Sequence, residues 1–147
     1  MSKLSFHILQ PIRFPLINRL YKSYYPAGKA KRDETIWIGE DESNIVCCVR
    51  FKAIEGIQLL TGMLVKPDFR GQGISEQLLV ATIEQVEEQP CYCFAFSHLV
   101  ALYQKANFVV INENELPHFL ASRFKRYSDS GKSLVPMIYQ KPALSQN

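Results

Sequence analysis

One strand–loop–helix segment constrains this 147-residue chain more than any other part of its sequence. An apolar run over residues 57–65 leads through Pro67 into the loop Arg70-Gly71-Gln72-Gly73, and a helical pattern follows over residues 74–86. A helix start presents unpaired N–H groups and the positive end of the helix dipole. Glycine lets the backbone come close to a ligand. The segment therefore predicts a phosphate-binding loop between a strand and a helix.

The spacing of the glycines excludes two better-known phosphate loops. The chain has no Gly-x-x-x-x-Gly-Lys-Ser/Thr, and Gly71-x-Gly73 continues to Glu76 where a dinucleotide-binding fingerprint has glycine. The sequence Arg70-Gly71-Gln72-Gly73-Ile74-Ser75 instead resembles the acetyl-coenzyme A loop of the GNAT superfamily of N-acyltransferases, Gln/Arg-x-x-Gly-x-Gly/Ala after a strand that ends Val-x-Pro. Ser75 departs from that pattern but is small. The alternative, a glycine-rich turn before an ordinary helix, does not account for the strand and proline in front of it.

A second segment supports the same resemblance. Leu102-Tyr103-Gln104-Lys105-Ala106-Asn107-Phe108 is similar to the family's Leu-Tyr-x-Lys-x-Gly-Phe, with Asn107 in place of glycine. Asparagine tolerates a left-handed backbone and can end a helix. Together the two motifs extend the resemblance over residues 37–108.

Hydrophobic periodicity predicts alternating helices and strands. Strands are expected at residues 4–9, 35–39, 45–53, 57–65, 91–96, 108–111 and 134–140, and helices at 14–24, 74–86, around Tyr103 and at 116–127. Pro15 suits the start of the first helix and Pro26 its end. Turns are expected at residues 40–44, at Glu55-Gly56 and at 129–131.

The resemblance implies an α+β fold in a single GNAT-like domain over residues 1–147. Its mixed, twisted sheet has helices on both faces. Two central parallel strands, residues 57–65 and 91–96, are expected to splay apart at their C-terminal ends.

The same resemblance implies acetyl-coenzyme A as the acyl donor. Pantetheine amides would pair with backbone groups that the splay leaves free, as an added strand would, and the pyrophosphate would rest on the N–H groups of the loop, with a charge-assisted contact from Arg70. The cofactor-binding residues expected on this basis are Leu64, Val65, Arg70, Gly71, Gln72, Gly73, Ile74 and Ser75. Tyr103 matches the family's usual tyrosine and is the candidate catalytic residue, a proton donor to the departing thiolate; core packing is its alternative role.

The general base stays unassigned. Residues 57–65 contain no acid and no histidine, Glu55 reads as a solvated turn residue, and His98 either lines the site or belongs to a helix cap.

The acceptor wall is expected in residues 14–31 and 112–117. Tyr21, Tyr24 and Tyr25 suit an aromatic or apolar acceptor, or packing. Lys29, Lys31 and Arg32 suit an acidic acceptor, or form a solvated basic loop.

The implied function is an N-acetyltransferase that moves an acetyl group from acetyl-coenzyme A to a primary amine of a small molecule or peptide, by direct attack in a ternary complex. The first alternative is a non-catalytic coenzyme A-binding or regulatory domain of the same fold. The second is a nucleic-acid module that uses Arg123, Lys125, Arg126 and Lys132.

Composition and charge limit the classes of partner that this chain is expected to bind. The net charge of +3 is modest for a nucleic-acid binder, no apolar run reaches membrane-spanning length, and the first residues lack a signal-peptide core. The four cysteines, Cys47, Cys48, Cys91 and Cys93, form no Cys-x-x-Cys pair and have no clustered histidines, so we expect free thiols and no metal site. These features predict a cytoplasmic enzyme, monomeric or homodimeric, that binds neither nucleic acid nor membrane.

Overall fold

A computed structural model of the chain describes residues 4–25 and 29–142. These residues form seven strands and five helices. The strands are β1 (Ser5–Ile8), β2 (Thr35–Asp41), β3 (Asn44–Ile54), β4 (Ile57–Val65), β5 (Cys91–Phe96), β6 (Phe108–Val110) and β7 (Leu134–Tyr139). The helices are α1 (Phe14–Tyr24), α2 (Ile74–Ala81), α3 (Ile83–Glu88), α4 (Val100–Lys105) and α5 (His118–Asp129).

The strands make one mixed sheet in the order β1-β2-β3-β4-β5-β7-β6. Neighbouring strands are antiparallel except β4 and β5, which run parallel. The α2–α3 connection between these two strands packs on the sheet as a parallel crossover requires. The expected α+β architecture with a central parallel pair is confirmed.

Helices cover both faces of the sheet. On one face, α1 buries Ile17 and Leu20 against Ile36, Ile38 and Leu64, and α5 buries Leu120 and Phe124 against Leu59 and Tyr92. On the other face, α2 and α4 bury Leu78, Leu79 and Tyr103 against Val49, Leu60 and Cys93. Because side chains alternate across a strand, β4 sends Leu59 to one face and Leu60 to the other.

The helix predicted over residues 74–86 is two helices. Thr82 (φ −93°, ψ 9°) separates α2 from α3, and its fully buried hydroxyl donates to the Leu79 carbonyl at 3.0 Å. A threonine that bonds back to its own helix competes with the regular ladder and bends it. The break leaves Ile83, the first residue of α3, 36% exposed.

Other boundaries shift by a few residues. The turn predicted over residues 40–44 is shorter in the structure. It is made by Glu42 and Ser43, both at positive φ, while Glu40 and Asp41 belong to strand β2. Helix α5 begins at His118, after Pro117 and the extended, buried Leu116, two residues later than predicted. Asn107 has φ 71° as the helix stop that its residue type predicted. The role given to Pro26 lies outside the described residues.

Candidate active site

A cleft opens between the two parallel strands. Strand β4 pairs with β5 at three positions, from Gln58 with Cys91 to Leu60 with Cys93. Beyond them β5 continues to pair with β7 on its other side, from Tyr92 to Phe96. A cavity of about 470 Å³ lies at the divergence, between the second half of β4, the end of β5 and α4.

A bulge in β4 lies where the strands part. The β3–β4 register slips between Cys48 and Arg50, so that Gly62 and Met63 together oppose Val49. Gly62 has φ 67°, a conformation that glycine adopts without strain. Because a bulge bends its strand and increases the local twist, this irregularity turns β4 away from β5 at the start of the cleft.

The predicted phosphate loop lies at one end of the cleft. After a single turn at Pro67–Phe69, Gly71 (φ 79°) and Gly73 (φ 74°) adopt left-handed conformations and α2 begins at Ile74. Among the described residues, none accepts a hydrogen bond from the backbone N–H groups of Gly71, Gly73, Ile74 or Ser75. A Cβ on either glycine would meet no protein atom within 4 Å. Glycine is therefore required here by backbone conformation, and open space surrounds a row of free donors.

Side chains of the loop divide between the cleft and the protein. Arg70 and Ser75 line the cavity. The side chain of Ile74 is buried in the core, so this residue can offer a ligand its N–H alone. Gln72 donates its amide to the Asp68 carbonyl at 3.4 Å, which holds the loop onto the preceding turn.

The backbone groups at the end of β4 divide between strand β3 and the cleft. The Lys66 N–H donates to the Val46 carbonyl at 2.9 Å, and the register pairs Cys48 with Leu64. Because bonded pairs alternate along an antiparallel ladder, the backbone groups of Leu64 face β3. Those of Val65 face the cleft, where the Val65 carbonyl accepts a 3.0 Å hydrogen bond from Arg70 Nε. The backbone groups of both Leu64 and Val65 were expected to be free for a ligand. Among them, the Val65 N–H faces the cleft and has no hydrogen-bond partner among the described residues.

Tyr103, in helix α4, lines the cavity together with the second half of β4. Its ring is 4% exposed and packs edge-to-face on Phe108, with centroids 5.7 Å apart. Its hydroxyl makes no hydrogen bond to a described residue and is not among the sealed polar atoms of the core. Burial, followed by the nearby Cys93 thiol, raises the pKa of Tyr103 well above its usual value. The phenol therefore stays protonated at neutral pH, as a proton donor must.

Basic groups for proton abstraction are few in this cavity. Its described lining includes no carboxylate, and His98, stacked on Phe96 with centroids 5.9 Å apart, is its one imidazole. Glu55 lies in the β3–β4 hairpin, at the opposite end of β4 from the loop.

A second cavity, of about 440 Å³, adjoins the first and shares Tyr25, Leu60, Thr61, Phe94 and Phe96 with it. Sequence reasoning missed its central residue, Arg50. This side chain is 6% exposed, forms a 3.2 Å ion pair with Glu34, donates to the Lys29 carbonyl, and lies over the Tyr21 ring at 4.8 Å. An arginine inside the apolar run of β3 was the available signal, since a buried charge requires partners.

The expected acceptor wall is partly present. Tyr24 and Tyr25 line the first cavity, and Tyr25, Lys29 and Lys31 line the second. Tyr21 is core, with its hydroxyl bonded to the Gly62 carbonyl at 2.5 Å, and Arg32 lies over the Phe14 ring at 4.5 Å. Residues 112–117 are absent from the described lining of both cavities.

Comparison with known families identifies this arrangement. A family model described as an acetyltransferase (GNAT) domain matches residues 32–110, more than half of the chain. The chain belongs to the GNAT acetyltransferase family. The matched GNAT segment includes the loop, the cleft strands and Tyr103.

Curated relatives of this GNAT domain are UPF0039 proteins of Mycobacterium bovis and Mycobacterium tuberculosis. They are 30% identical over 77 residues, which is 50% of this chain and 49% of theirs. The match thus spans about half of the length of these relatives.

Solved GNAT structures show the same fold at low sequence identity. N-acetylglutamate synthase from Neisseria gonorrhoeae superimposes with a TM-score of 0.73 at 16% identity, over 97% of this chain and 36% of its own. Ribosomal-protein-S18-alanine N-acetyltransferase from Escherichia coli superimposes with a TM-score of 0.70 at 14% identity, over 99% of this chain and 98% of its own. A GNAT family acetyltransferase from Elizabethkingia anophelis superimposes with a TM-score of 0.64 at 14% identity, over 96% of this chain and 100% of its own.

Residues 4–25 and 29–142 show neither a membrane-spanning helix nor a cluster of metal ligands. No helix there is long and apolar enough to cross a membrane. No group of three or more His, Cys, Asp or Glu side chains there is placed to hold a metal ion.

Proposed function

We propose that this protein is an N-acetyltransferase that moves the acetyl group of acetyl-coenzyme A to a primary amine. The observation that carries the proposal is the row of free N–H groups from Gly71 to Ser75 at one end of a cleft that Tyr103 also lines. The N. gonorrhoeae neighbour was crystallised with coenzyme A and N-acetyl-glutamate, and the E. anophelis neighbour with acetyl-CoA bound. These complexes support the choice of donor.

The residues of the cleft suit such a donor. The loop N–H groups, with the helix dipole behind them, would hold the pyrophosphate. Arg70 keeps its terminal nitrogens for phosphate while its Nε is fixed to Val65. The Val65 N–H would pair with a pantetheine carbonyl.

Transfer requires one bond to form and one to break. The amine nitrogen attacks the thioester carbonyl carbon, the C–S bond breaks, and the proton lost by the amine is balanced by the proton that the thiolate gains. Tyr103, protonated at neutral pH and on the cleft wall, would supply the thiolate's proton or a hydrogen bond to it. His98 is the candidate to accept the amine proton from its place in the cavity lining.

A non-catalytic coenzyme A-binding domain is the second candidate. The lack of a carboxylate among the described residues of the cleft favours it, since a positioned carboxylate is one of the usual general bases in enzymes.

Two measurements test the proposal and separate these candidates. Coenzyme A should raise the thermal stability of the protein, whereas AMP should do so much less. Release of free coenzyme A from acetyl-coenzyme A should then depend on an added amine. Thermal stabilisation without amine-dependent release would identify a binding domain, and no stabilisation would overturn both candidates.

A further inference from the structure

The second cavity carries an excess of positive charge that the ion pairs Arg50–Glu34 and Lys52–Asp33 offset only in part. Six of its described lining residues are cationic, Lys29, Lys31, Arg50, Lys52, Arg123 and Lys132, and Glu34 is the one carboxylate among them. The chain as a whole carries 17 basic and 14 acidic residues, so this ratio is a local feature. The cations come from the loop after α1, from β3, from α5 and from the turn before β7, which means that the fold gathers them from distant parts of the sequence.

Arg50 is the buried member of this group. Its guanidinium is paired with Glu34 and the Lys29 carbonyl through one terminal nitrogen, Nη1. Its Nε has no hydrogen-bond partner among the described residues although it is sealed from solvent, and Nη2 donates to none of them. Because Nη2 is not among the sealed polar atoms, it is the unpaired donor of this guanidinium that an acceptor group in the cavity could reach, and such a bond would recover part of the free energy that burial costs.

The cationic cavity lies directly beside the cleft, and Arg50 is the residue that connects them. Arg50 is paired with Thr61, which lines both cavities, and its guanidinium lies against Gly62 at the bulge where β4 and β5 part. An anion in the second cavity is therefore adjacent to the divergence of the strands, where the acyl group would be presented.

We propose that the acceptor is a small amine that carries at least one anionic group, a carboxylate or a phosphate, which binds in the cationic cavity around Arg50. This inference rests on the proposed function and names its substrate class. The cations attract the anion, and they also disfavour a protonated amine beside them, since like charges lower the pKa of an ammonium group. The first effect favours binding of the acceptor, and the second favours the neutral nucleophile that transfer requires.

The test compares matched acceptors. Aspartate is set against its diamide, and phosphoethanolamine against ethanolamine, with coenzyme A release as the measurement. We expect the anionic member of at least one pair to exceed its neutral partner in kcat/KM by at least about tenfold. The preference should shrink as salt rises from about 0.05 M to about 0.5 M, because screening weakens the attraction. The pair that responds distinguishes a carboxylate from a phosphate.

Variants locate the effect in the cavity. Arg50 is buried against Glu34, so its replacement endangers folding; the double variant Arg123→Gln/Lys132→Gln removes two partly exposed cations instead. The Arg123→Gln/Lys132→Gln variant should have a kcat/KM for the preferred anionic acceptor that is lower by about tenfold or more. Its kcat/KM for the matched neutral amine should change by less than about twofold. The double variant Lys125→Gln/Arg126→Gln removes the same charge from exposed positions of α5 outside the cavity lining, and should behave as wild type.

The outcomes separate the two proposals. Stabilisation by coenzyme A together with equal or faster transfer to the neutral amines would overturn the anionic acceptor and leave the acetyltransferase intact. If no amine releases coenzyme A, the acetyltransferase is overturned whether or not coenzyme A stabilises the protein, and measurements of ligand binding then decide whether the anion site exists. Aspartate or phosphoethanolamine must then stabilise wild type and the Lys125→Gln/Arg126→Gln control more than the Arg123→Gln/Lys132→Gln variant, and equal stabilisation of all three proteins, or none, would overturn the inference.

Discussion

The buried Tyr21 hydroxyl donates a 2.5 Å hydrogen bond to the carbonyl of Gly62, so helix α1 is fastened to the bulge at which the two parallel strands separate. The Tyr21 ring also lies 4.8 Å below the Arg50 guanidinium. One tyrosine thus holds both the bent strand and the buried cation. The bend of β4 at the cleft and the position of the buried cation beside it are therefore supported by one side chain.

Gly62→Ala should disrupt this junction. A Cβ at Gly62 would lie 2.6 Å from Arg50 Nε and 2.8 Å from the Tyr21 hydroxyl, at φ 67°. We expect the free energy of unfolding to fall by about 2–4 kcal/mol, from backbone strain and overpacking together. Gly56→Ala is the matched control, because Gly56 has φ 85° and open space around it, and should lose about 1–2 kcal/mol from strain alone. If urea unfolding showed the same loss of unfolding free energy for Gly62→Ala and Gly56→Ala, the Arg50 and Tyr21 side chains would be able to move away from the added methyl group at no cost.

Gly73→Asp should abolish coenzyme A binding. The substitution puts a carboxylate beside the loop N–H groups, where the phosphate is expected. A ligand at a hundredfold excess over its dissociation constant stabilises the folded state by about 2.7 kcal/mol, and this thermal shift should disappear. Gly56→Asp introduces the same charge and comparable backbone strain in the β3–β4 hairpin, and should keep the shift. A folded Gly73→Asp protein with the wild-type shift would place the ligand elsewhere.

Local sequence rules predicted the parts of this site that lie within one segment. Strand β4, the loop glycines and the left-handed Asn107 each follow from short patterns, and their structure agrees. Arg50 could not be assigned in this way, since its partner Glu34 is 16 residues earlier and meets it only when β2 pairs with β3, which sets Ile36 opposite Arg50. The Thr82 break was missed because threonine there fits the helical pattern, and only its buried hydroxyl shows the interruption.

The four cysteines should be unreactive in the folded protein. Burial raises the pKa of Cys47 to about 11 and that of Cys48 and Cys91 to about 12, and the pKa of Cys93 also rises well above its usual value. The reactive thiolate is then only about one part in a thousand or less at pH 8. A chromogenic thiol reagent should label none natively and all four after denaturation without reductant. Fewer than four would reveal a disulfide and oppose the reducing, cytoplasmic location that we propose. Rapid native labelling would contradict the burial.

Tyr103→Phe should slow acetyl transfer without weakening coenzyme A binding. The ring that packs on Phe108 remains, so stability should change little, while the hydroxyl on the cleft wall is lost. Proton donation of this kind contributes about 10²- to 10⁴-fold in rate, so we expect kcat to fall at least about tenfold with the preferred amine. Because the pKa of Tyr103 is raised well above its ordinary value, its proton stays in place through neutral and mildly alkaline pH. The ratio of wild-type to variant kcat should therefore stay constant from about pH 7 to about pH 9.

Tyr139→Phe is the control for this substitution. It removes a hydroxyl that donates to Glu87 at 2.7 Å, outside the described lining of the cleft, from a ring that also packs on Phe108. Its kcat should match that of wild type, which would show that losing a hydroxyl beside Phe108 is not by itself harmful. If Tyr103→Phe also retained full kcat where chemistry limits the rate, Tyr103 would be a packing residue. The thiolate would then leave with help from backbone donors or water.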